Sequence, residues 1–358
     1  MNILYLTNHL NVGGITSYVL RLAKGLRLKG HNTYVASSGG KLLPRFIQEG
    51  IVYIPIPIRT KSEISPKILI STFKLLGLLK QYRIDIVHSN SRTTQVLGCL
   101  ISDFTDALHI STCHGFFKRR ISRRVFPCWG RRIIAISEAV KEHLIKDFGA
   151  RQEIISLVHH GVDVEKFKMD KKERLGSDNG PVIGIIARLS EEKGHTYLIE
   201  AMQEVINRFP KAQLLIVGEG RMKQRLVDLS KALKLENNVR FLPSVIDMQE
   251  VFGITDIFVL PSLKEGLGLS LMEAMASGLP VIASDVGGIR SLVQHGRNGL
   301  LVKPADVREL SSAIIELLKD PQRCGVFGNN ARIFIKDNFS QEKMISQTEG
   351  VYSECLKI

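Results

Sequence analysis

The sequence predicts an α/β protein built from two doubly wound Rossmann-like domains. Short β-rich runs alternate with longer amphipathic runs, the pattern of a parallel sheet covered by helices on both faces. With 358 residues the chain exceeds the usual size of one hydrophobic core, so two domains are expected. Its 44% hydrophobic and 23% charged residues are typical of a globular protein rather than of a disordered or membrane-embedded one.

The predicted strands form two similar series separated by helical patterns. In the first half they lie at 2–7, 33–36, 52–54, 86–88, 109–112 and 133–136, and in the second at 182–187, 213–217, 239–241, 257–260, 281–283 and 299–302. Ligands bind beyond the carboxyl ends of strands in open α/β sheets. The loops after the first strand of each series, 7–14 and 187–194, are therefore expected to face each other across a cleft.

The domain boundaries follow from a polar stretch near mid-chain. Residues 167–180 contain few core candidates and are predicted to be a linker between a first domain at 1–166 and a second at 181–338. The final segment, 339–358, is predicted to be helical with Ser340 as its N-cap. Its packing partner does not follow from periodicity, and the first domain is one candidate.

The charge is concentrated in the first half of the chain. Residues 1–170 contain 25 basic and 12 acidic residues, and residues 171–358 contain 24 and 23, for a net charge of +14. The densest basic stretch, 116–132, interleaves aromatic residues with cations and indicates contact with an anionic partner. Its cations are Lys118, Arg119, Arg120, Arg123, Arg124, Arg131 and Arg132.

Cysteine usage and the N-terminal sequence indicate the compartment. The five cysteines are scattered, without a C-x-x-C pair or metal-ligand spacing, which favours a reducing environment. Residues 2–6 enter a strand pattern without the features of a signal peptide, and no apolar run approaches the length of a membrane span. We expect a cytoplasmic protein, at most peripheral on the inner face of the membrane.

The most informative stretch is 261–280, which follows a predicted strand and turns into a predicted helix beginning near Leu267. Gly266 and Gly268 allow close approach of backbone to a ligand, and the free N–H groups of a helix start suit a phosphate. Glu265 is expected just ahead of this helix and Glu273 about two turns into it. An isolated pair of this kind is better explained as a cap, two turn glycines and an ordinary helix residue; the surrounding string, including 284–288, makes the functional interpretation more specific.

At these positions the sequence resembles family 4 of the retaining glycosyltransferases, which have the two-domain GT-B fold and use nucleotide-diphospho-sugar donors. Glu265 and Glu273 match its E-x7-E signature, residues 184–194 match its second-domain opening, and the resemblance spans almost the whole chain. It implies transfer of a hexosyl or N-acetylhexosaminyl group, from a UDP-sugar by preference, to a glycan or lipid-linked acceptor with retention. The implied role is cell-envelope polysaccharide or lipopolysaccharide synthesis.

The resemblance also assigns donor-binding residues in the second half. Arg188 and Lys193 would hold the diphosphate, a role that suits two cations on one loop, although a solvated basic loop is the simpler alternative. Glu273 would accept from the ribose hydroxyls, and Glu265 would contact the donor sugar. The backbone of Gly266, Leu267, Gly268 and Leu269 would contact the sugar and phosphates, and Gly218 and Glu219 would lie near the nucleoside.

In the first half, Gly13 and Gly14 resemble the family's glycine-rich loop, where small residues leave room for donor phosphate and acceptor. His114, directly after a predicted strand, matches the family's strand-end histidine and is predicted to lie near the transferred sugar and the reacting centre. The asparagine that usually precedes Gly-Val-Asp is His160 here, which makes a direct ligand role for that position doubtful.

We predict metal-independent transfer without a cofactor. The chain contains no D-x-D triplet that would hold a donor-bound divalent metal, and Arg188, Lys193 and the helix start can supply the positive field instead. The basic segment follows His114 directly, so its residues 118–120, 123 and 124 are predicted to touch an anionic lipid surface or a lipid-linked acceptor. A solvated charged loop remains the alternative.

Two other classes of protein fit parts of the sequence. A sugar-nucleotide epimerase of similar architecture would bind the same donor and release a free epimer rather than a glycoside. The arginine cluster with interleaved aromatics also suggests a nucleic-acid-binding protein. The nearly neutral second half, which carries the more specific motifs, argues against nucleic acid.

Overall fold

The computed structural model describes residues 1–119, 121–167, 180–245 and 247–357. The chain divides into two compact units, one formed by Met1–Gly161 together with Gln341–Ile358 and the other by Val162–Ser340. The predicted linker at 167–180 lies almost wholly outside the described residues. None of the helices in the described ranges is both long and apolar enough to cross a bilayer.

The first unit is built on a parallel sheet in the order β3-β2-β1-β4-β5-β6-β7. Neighbouring strands are parallel throughout, so their carboxyl ends meet at one edge. The strands are β1 (Asn2–Leu6), β2 (Asn32–Ser37), β3 (Val52–Pro55), β4 (Ile86–Ser89), β5 (Leu108–Cys113), β6 (Arg132–Ala135) and β7 (Ile155–Leu157). The helices are α1 (Gly14–Leu28), α2 (Leu43–Gln48), α3 (Pro66–Gln81), α4 (Arg92–Ser102), α5 (Ile121–Val125) and α6 (Glu138–Phe148).

Local signals set the ends of the helices that follow β4 and β6. Ser91 caps α4 with a capping box, accepting from the backbone N–H of Thr94 while Thr94 accepts from the backbone of Ser91. Ser137 caps α6, which ends at Gly149 in the left-handed conformation. Apolar side chains from the helices cover both faces of the sheet and form two separate core clusters.

The C-terminal helix of the chain packs within the first unit, against α1. A Cβ placed on Gly25 of α1 would lie 2.0 Å from Cδ1 of Ile345, so the two helices touch through a glycine. Glu349 pairs with Lys29 and with His31 at the end of α1. Burial of apolar side chains drives this packing and the ion pairs fix its register.

The second unit contains a parallel sheet in the order β10-β9-β8-β11-β12-β13. Its strands are β8 (Val182–Ile186), β9 (Gln213–Val217), β10 (Val239–Leu242), β11 (Ile257–Leu260), β12 (Val281–Ser284) and β13 (Leu300–Val302). Its helices are α7 (His195–Arg208), α8 (Lys223–Ala232), α9 (Gln249–Gly253), α10 (Leu269–Ala276), α11 (Val307–Lys319) and α12 (Pro321–Asn338), and the C-terminal helix of the first unit is α13 (Gln341–Leu356). Short 3-10 turns at Gln152–Ile154, Glu191–Lys193 and Gly287–Ser291 complete the two units.

The predicted class, α/β with two Rossmann-like parallel sheets, is confirmed. Two details differ. Strand β7 was not predicted, because three residues are too few to show a periodicity. The helix expected near Leu267 begins at Leu269, because Gly268 adopts a left-handed conformation (φ 98°) that ends the preceding turn. Glu273 is therefore the fifth residue of α10, just past its first turn.

Candidate functional site

In the second unit, the two sequence motifs meet at the carboxyl ends of adjacent strands. Strand β8 leads into the loop that carries Lys193, and its neighbour β11 leads into the loop that carries Glu265. The Lys193 ammonium donates to the Glu265 carboxylate, and their side chains are only 19% and 12% exposed. The hydroxyl of Ser262 donates to the same carboxylate oxygen at 3.3 Å. A partly buried ion pair thus joins the two predicted parts of the site.

Close backbone contacts hold these loops together. Gly194 has φ 72°, and a Cβ built there would lie 1.8 Å from the carbonyl oxygen of Pro261. The Gly288 N–H donates to the Glu265 carbonyl at 3.0 Å, and a Cβ on Gly288 would lie 2.0 Å from the Gly266 carbonyl oxygen. The loops after β8, β11 and β12 are therefore packed backbone to backbone.

Arg188 lies on the same loop as Lys193 but in different surroundings. It pairs with Glu192 four residues later, and its side chain is 67% exposed. Exposed pairs of this kind contribute little to stability, so the guanidinium can exchange its partner for a ligand at small cost. The loop therefore presents one partly buried and one exposed cation.

Glu273 and Glu265 have distinct surroundings. Glu273 is buried, with 2% of its surface exposed, on the first half of α10, whereas Glu265 precedes that helix in a turn. Between them α10 begins at Leu269, and the N–H groups of the first turn of a helix have no partner within the helix. The helix start and Glu265, the partner of Lys193, accordingly belong to one loop.

The loop after β9 packs against the loop after β8. Gly218 donates its N–H to the Leu242 carbonyl at 3.0 Å, and a Cβ on Gly218 would lie 2.0 Å from the Ala187 carbonyl oxygen. The Glu219 carbonyl accepts from the Leu189 N–H at 3.0 Å. Gly218 and Glu219 are therefore packed on the loop that carries Arg188.

One residue of this site escaped the sequence interpretation. His195, the first residue of α7, is 2% exposed, and among the described residues neither of its ring nitrogens has a hydrogen-bond partner. Burial and, after it, the nearby Lys193 cation lower the pKa of His195 to about 4. Its only sequence signal was its place directly after the Arg188–Gly194 loop.

In the first unit, His114 lies at the end of β5 within a small set of rings. Its Nε2 lies 3.0 Å from Oδ1 of Asn90 and its Nδ1 lies 3.0 Å from Nε2 of His160. Tyr18 of α1 meets His114 edge-on at 4.8 Å between ring centroids and stacks on His160 at 4.7 Å. Burial, with a smaller contribution from His88, lowers the pKa of His114 to about 3, so the ring is neutral.

Beneath these rings, a buried polar chain reaches α13. His88 of β4 contacts Thr112 through Nε2 at 2.6 Å and Tyr352 of α13 through Nδ1. The Tyr18 hydroxyl lies 3.3 Å from the same Thr112 hydroxyl. Sequence patterns did not indicate this series of hydrogen-bonded side chains, because its members come from elements far apart in the sequence.

The predicted glycine loop follows β1. Gly13 has an extended backbone (φ 162°) and is the N-cap of α1, while Gly14 is the first residue of that helix. A Cβ on Gly13 would meet no other protein atom within 4 Å among the described residues. Packing inside the unit therefore does not require a glycine here, and the role of Gly13 beside a ligand stays a prediction.

Not every cation of the basic segment is exposed at the surface, and the prediction for Arg123 is wrong in this respect. Arg123 is only 6% exposed, and its guanidinium lies 3.7 Å from the Phe117 ring centroid and within 6 Å of Trp129 and Phe148. The alternation of aromatic and basic residues arises here because the aromatics enclose one of the cations. Lys118, Arg119 and Arg124 are exposed, Arg119 pairing with Asp147, and Arg120 lies outside the described residues.

A cavity of about 230 Å³ opens beside this segment. It is lined by Lys61, Glu63, Arg92, Phe116, Phe117, Lys118 and Arg123. Arg92 pairs with Glu63 and donates to the carbonyls of Phe126 and Pro127, which anchors the chain that follows α5. Anchored aromatic and basic walls suit an anionic group on an apolar stem.

Arg123→Ala should lower the free energy of unfolding by about 2–3 kcal/mol, since it removes a buried cation stacked on aromatic rings. Arg124→Ala, an exposed neighbour, should change it by less than about 0.5 kcal/mol. Urea unfolding of both variants measures the difference. Equal effects would show that the burial of Arg123 contributes nothing to stability.

Among the described residues, no group of three or more histidine, cysteine, aspartate or glutamate side chains is arranged to hold a metal ion. The five cysteines are free thiols. Metal independence remains a prediction.

Two family models match consecutive parts of the chain. The model described as Glycosyltransferase Family 4 matches residues 12–166, and the one described as Glycosyl transferases group 1 matches residues 167–334. Together they cover most of both units.

Curated relatives match over most of the chain. An Escherichia coli UDP-Gal:alpha-D-GlcNAc-diphosphoundecaprenol alpha-1,3-galactosyltransferase is 30% identical over 84% of this chain and 82% of its own length. The Staphylococcus aureus capsular polysaccharide biosynthesis glycosyltransferase CapM is 26% identical over 93% and 92%. Among solved structures, Anabaena HepE in complex with UDP and glucose is 25% identical, with a TM-score of 0.86 over 99% of each chain.

Proposed function

The chain belongs to glycosyltransferase family 4, a family of enzymes with the GT-B fold, and from this premise we propose that it transfers a sugar from a nucleotide-diphosphate donor to a glycan or lipid-linked acceptor. A UDP-sugar is the favoured donor, and the transferred group is a hexosyl or N-acetylhexosaminyl unit. The anomeric configuration is retained.

The observation that carries this proposal is the partly buried contact between Lys193 and Glu265 beside the start of α10. A diphosphate gains negative charge as the glycosidic bond breaks, and fixed cations and helix N–H groups at that point stabilise the transition state. Lys193 and Arg188 supply the cations, and Glu265 orients Lys193 until donor phosphate arrives. Glu265 itself contacts the donor sugar.

The first unit contributes His114 at the reacting centre in this proposal. A neutral imidazole with a strongly lowered pKa is a weak base, and both of its ring nitrogens contact Asn90 and His160, so His114 is assigned a packing role beside the transferred sugar rather than a proton-accepting one. The oxygen of the acceptor hydroxyl attacks the anomeric carbon from the same face of the sugar that the leaving group vacates. The departing phosphate takes the proton of this hydroxyl. That geometry accounts for retention.

The nature of donor and acceptor is supported by the relatives. HepE holds UDP and glucose, the E. coli relative transfers galactose to a GlcNAc linked to diphosphoundecaprenol, and CapM makes a capsular polysaccharide. These support a UDP-sugar donor, a lipid-linked glycan acceptor and a role in cell-envelope polysaccharide synthesis. The exposed cations Lys118, Arg119 and Arg124 lie on the segment that follows His114 and are assigned to the acceptor diphosphate or an anionic lipid surface.

The same proposal makes transfer independent of divalent metal and puts the enzyme in the cytoplasm, peripheral on the inner face of the membrane. Arg188, Lys193 and the α10 start are sufficient to neutralise a diphosphate leaving group. Free thiols in a reducing compartment agree with this location.

Two assays test the function. In a thermal-shift panel of UDP, GDP and ADP sugars at equal concentration, UDP-sugars should raise Tm most, because a ligand that binds only the folded state stabilises it more the more tightly it binds. With a lipid-diphosphate-linked N-acetylhexosamine as acceptor, the product should be an α-glycoside from an α-linked donor, read from its anomeric NMR coupling. Activity should survive a chelator. Release of a free epimer, a β-glycoside, or activity that requires added magnesium would contradict the corresponding part of the proposal.

Glu273→Gln should raise the KM for the donor about tenfold with a smaller change in kcat, because an amide keeps the shape but loses the charge-assisted hydrogen bonds to the ribose hydroxyls. Glu309→Gln, on α11 of the same unit, provides the matched control and should leave both constants unchanged. A donor KM that stays at the wild-type value in Glu273→Gln would remove Glu273 from the ribose site.

A further inference from the structure

His160 lies against His114 although the two come from different strands. Asn90 directly follows β4 and His114 directly follows β5, while His160 lies three residues beyond the end of β7. The three side chains form a continuous hydrogen-bonded row, Asn90 to His114 to His160, with 3.0 Å at each contact. Both ring nitrogens of His114 are therefore held by protein side chains.

The direction of these hydrogen bonds follows from Asn90. Its amide nitrogen Nδ2 lies 3.2 Å from the carbonyl of His88 and 3.4 Å from that of Leu6, and both of these groups can only accept. The amide oxygen therefore faces His114 and accepts from the Nε2–H of that ring. Nδ1 of a neutral His114 must then be the acceptor, and Nε2–H of His160 the donor.

The turn that carries His160 is anchored from both sides. The carbonyl of Gly161 accepts from Arg21 of α1 at 3.3 Å, and the Gly161 N–H donates to the Met344 sulfur of α13. Tyr18 stacks on the His160 ring. His160 is itself 6% exposed, and burial lowers its pKa well below the ordinary value. The position of the His160 ring and its neutral state are thus set by α1 and α13 rather than by solvent.

We propose that His160 is a positioning residue: by donating to Nδ1 it adds to the hold of Asn90 on the Nε2-protonated tautomer of His114, and it fixes the orientation of this ring for sugar transfer. Its importance for catalysis rests on the proposed function. The tautomer itself does not. An asparagine at this position ends about where Nδ1 of histidine lies and is too short to donate to His114, whereas the amide of glutamine reaches about as far as Nε2.

The test compares His160→Phe, His160→Gln and His160→Asn with the wild-type chain and with His159→Gln, an adjacent histidine that instead contacts the Ile136 carbonyl. Long-range 15N–1H spectra of histidine-labelled protein report which ring nitrogen of His114 is protonated. We expect Nε2 of His114 to be protonated in every variant, because Asn90 accepts from it in each. The Nδ1 resonance should be that of a hydrogen-bonded acceptor in the wild type, His160→Gln and His159→Gln, and that of an unbonded ring nitrogen in His160→Phe and His160→Asn.

In transfer assays, His160→Phe and His160→Asn should lower kcat about tenfold, the effect of losing one buried hydrogen bond, with less than a twofold change in donor KM. His160→Gln should recover most of the loss. An unchanged Nδ1 resonance of His114 in His160→Phe, or equal loss in the phenylalanine and glutamine variants, would overturn the proposal. If no donor supports transfer by the wild-type chain, the proposed function fails while the spectra still decide whether His160 donates to Nδ1. Should the phenylalanine variant not fold, the asparagine and glutamine pair makes the same comparison.

Discussion

Replacing Lys193 by alanine should lower kcat/KM for sugar transfer by about 10²–10³, the range found when a fixed group that stabilises developing negative charge is removed. The ammonium is only 19% exposed and is held by Glu265, so it is ordered before the donor binds. Preorganised charge of this kind acts on the transition state without a cost of reorganisation. Steady-state kinetics with the preferred nucleotide sugar measures the effect, and most of the loss should appear in kcat.

The control for Lys193→Ala is Arg208→Ala, which removes an ion-paired cation from the far end of α7. It should change kcat/KM less than twofold. Lys193→Ala also leaves Glu265 without its cation, so the double variant with Glu265→Gln separates the two effects. If the double variant recovers activity, the loss came from an uncompensated carboxylate, and the leaving-group role of Lys193 is wrong.

Much of the fold could be predicted because its strands are short, apolar and separated by amphipathic helices. Strands β8, β9 and β11 are buried along nearly their whole length, and such runs are visible in the sequence. Among the described strands, β7 pairs only with β6. Its three residues are too few to show an alternating hydrophobic pattern. The start of α10 was misplaced by two residues because a glycine permits either a helical or a left-handed conformation, and packing decides between them.

The candidate site was predictable where its parts lie close together in the sequence. Lys193 and Glu265 stand in recognisable strings, and adjacency of β8 and β11 then brings the strings into contact. Asn90 was not found, since its partner His114 comes from the next strand and a lone asparagine has no pattern. Arg123 was taken for a surface cation because charge predicts exposure unless the aromatic enclosure is known.

The close packing of the site loops leads to a second large effect. Gly194→Ala should lower the free energy of unfolding by about 2–4 kcal/mol, as it combines about 1 kcal/mol for a left-handed backbone with an overpacking cost of about 1–3 kcal/mol. The added Cβ would lie 1.8 Å from the Pro261 carbonyl oxygen, and a backbone atom cannot move aside as a flexible side chain can. Relief requires the loop after β8 to separate from the loop after β11.

Gly296→Ala is the matched control because Gly296 has nearly the same backbone angle, φ 74° against 72° for Gly194, and an added Cβ there would meet no atom of the described residues within 4 Å. Gly296→Ala should lower the free energy of unfolding by only about 1 kcal/mol, the cost of a left-handed backbone, and leave the kinetic constants for the donor unchanged. Separation of the loops in Gly194→Ala would instead move Lys193 away from Glu265, and a displacement of about 1 Å in a catalytic group can cost about 10²-fold in rate. Thermal unfolding and donor kinetics of the pair therefore distinguish backbone strain from loss of loop contact. Equal destabilisation in the two variants, with activity retained in Gly194→Ala, would mean that the donor loops do not depend on their contact at Pro261.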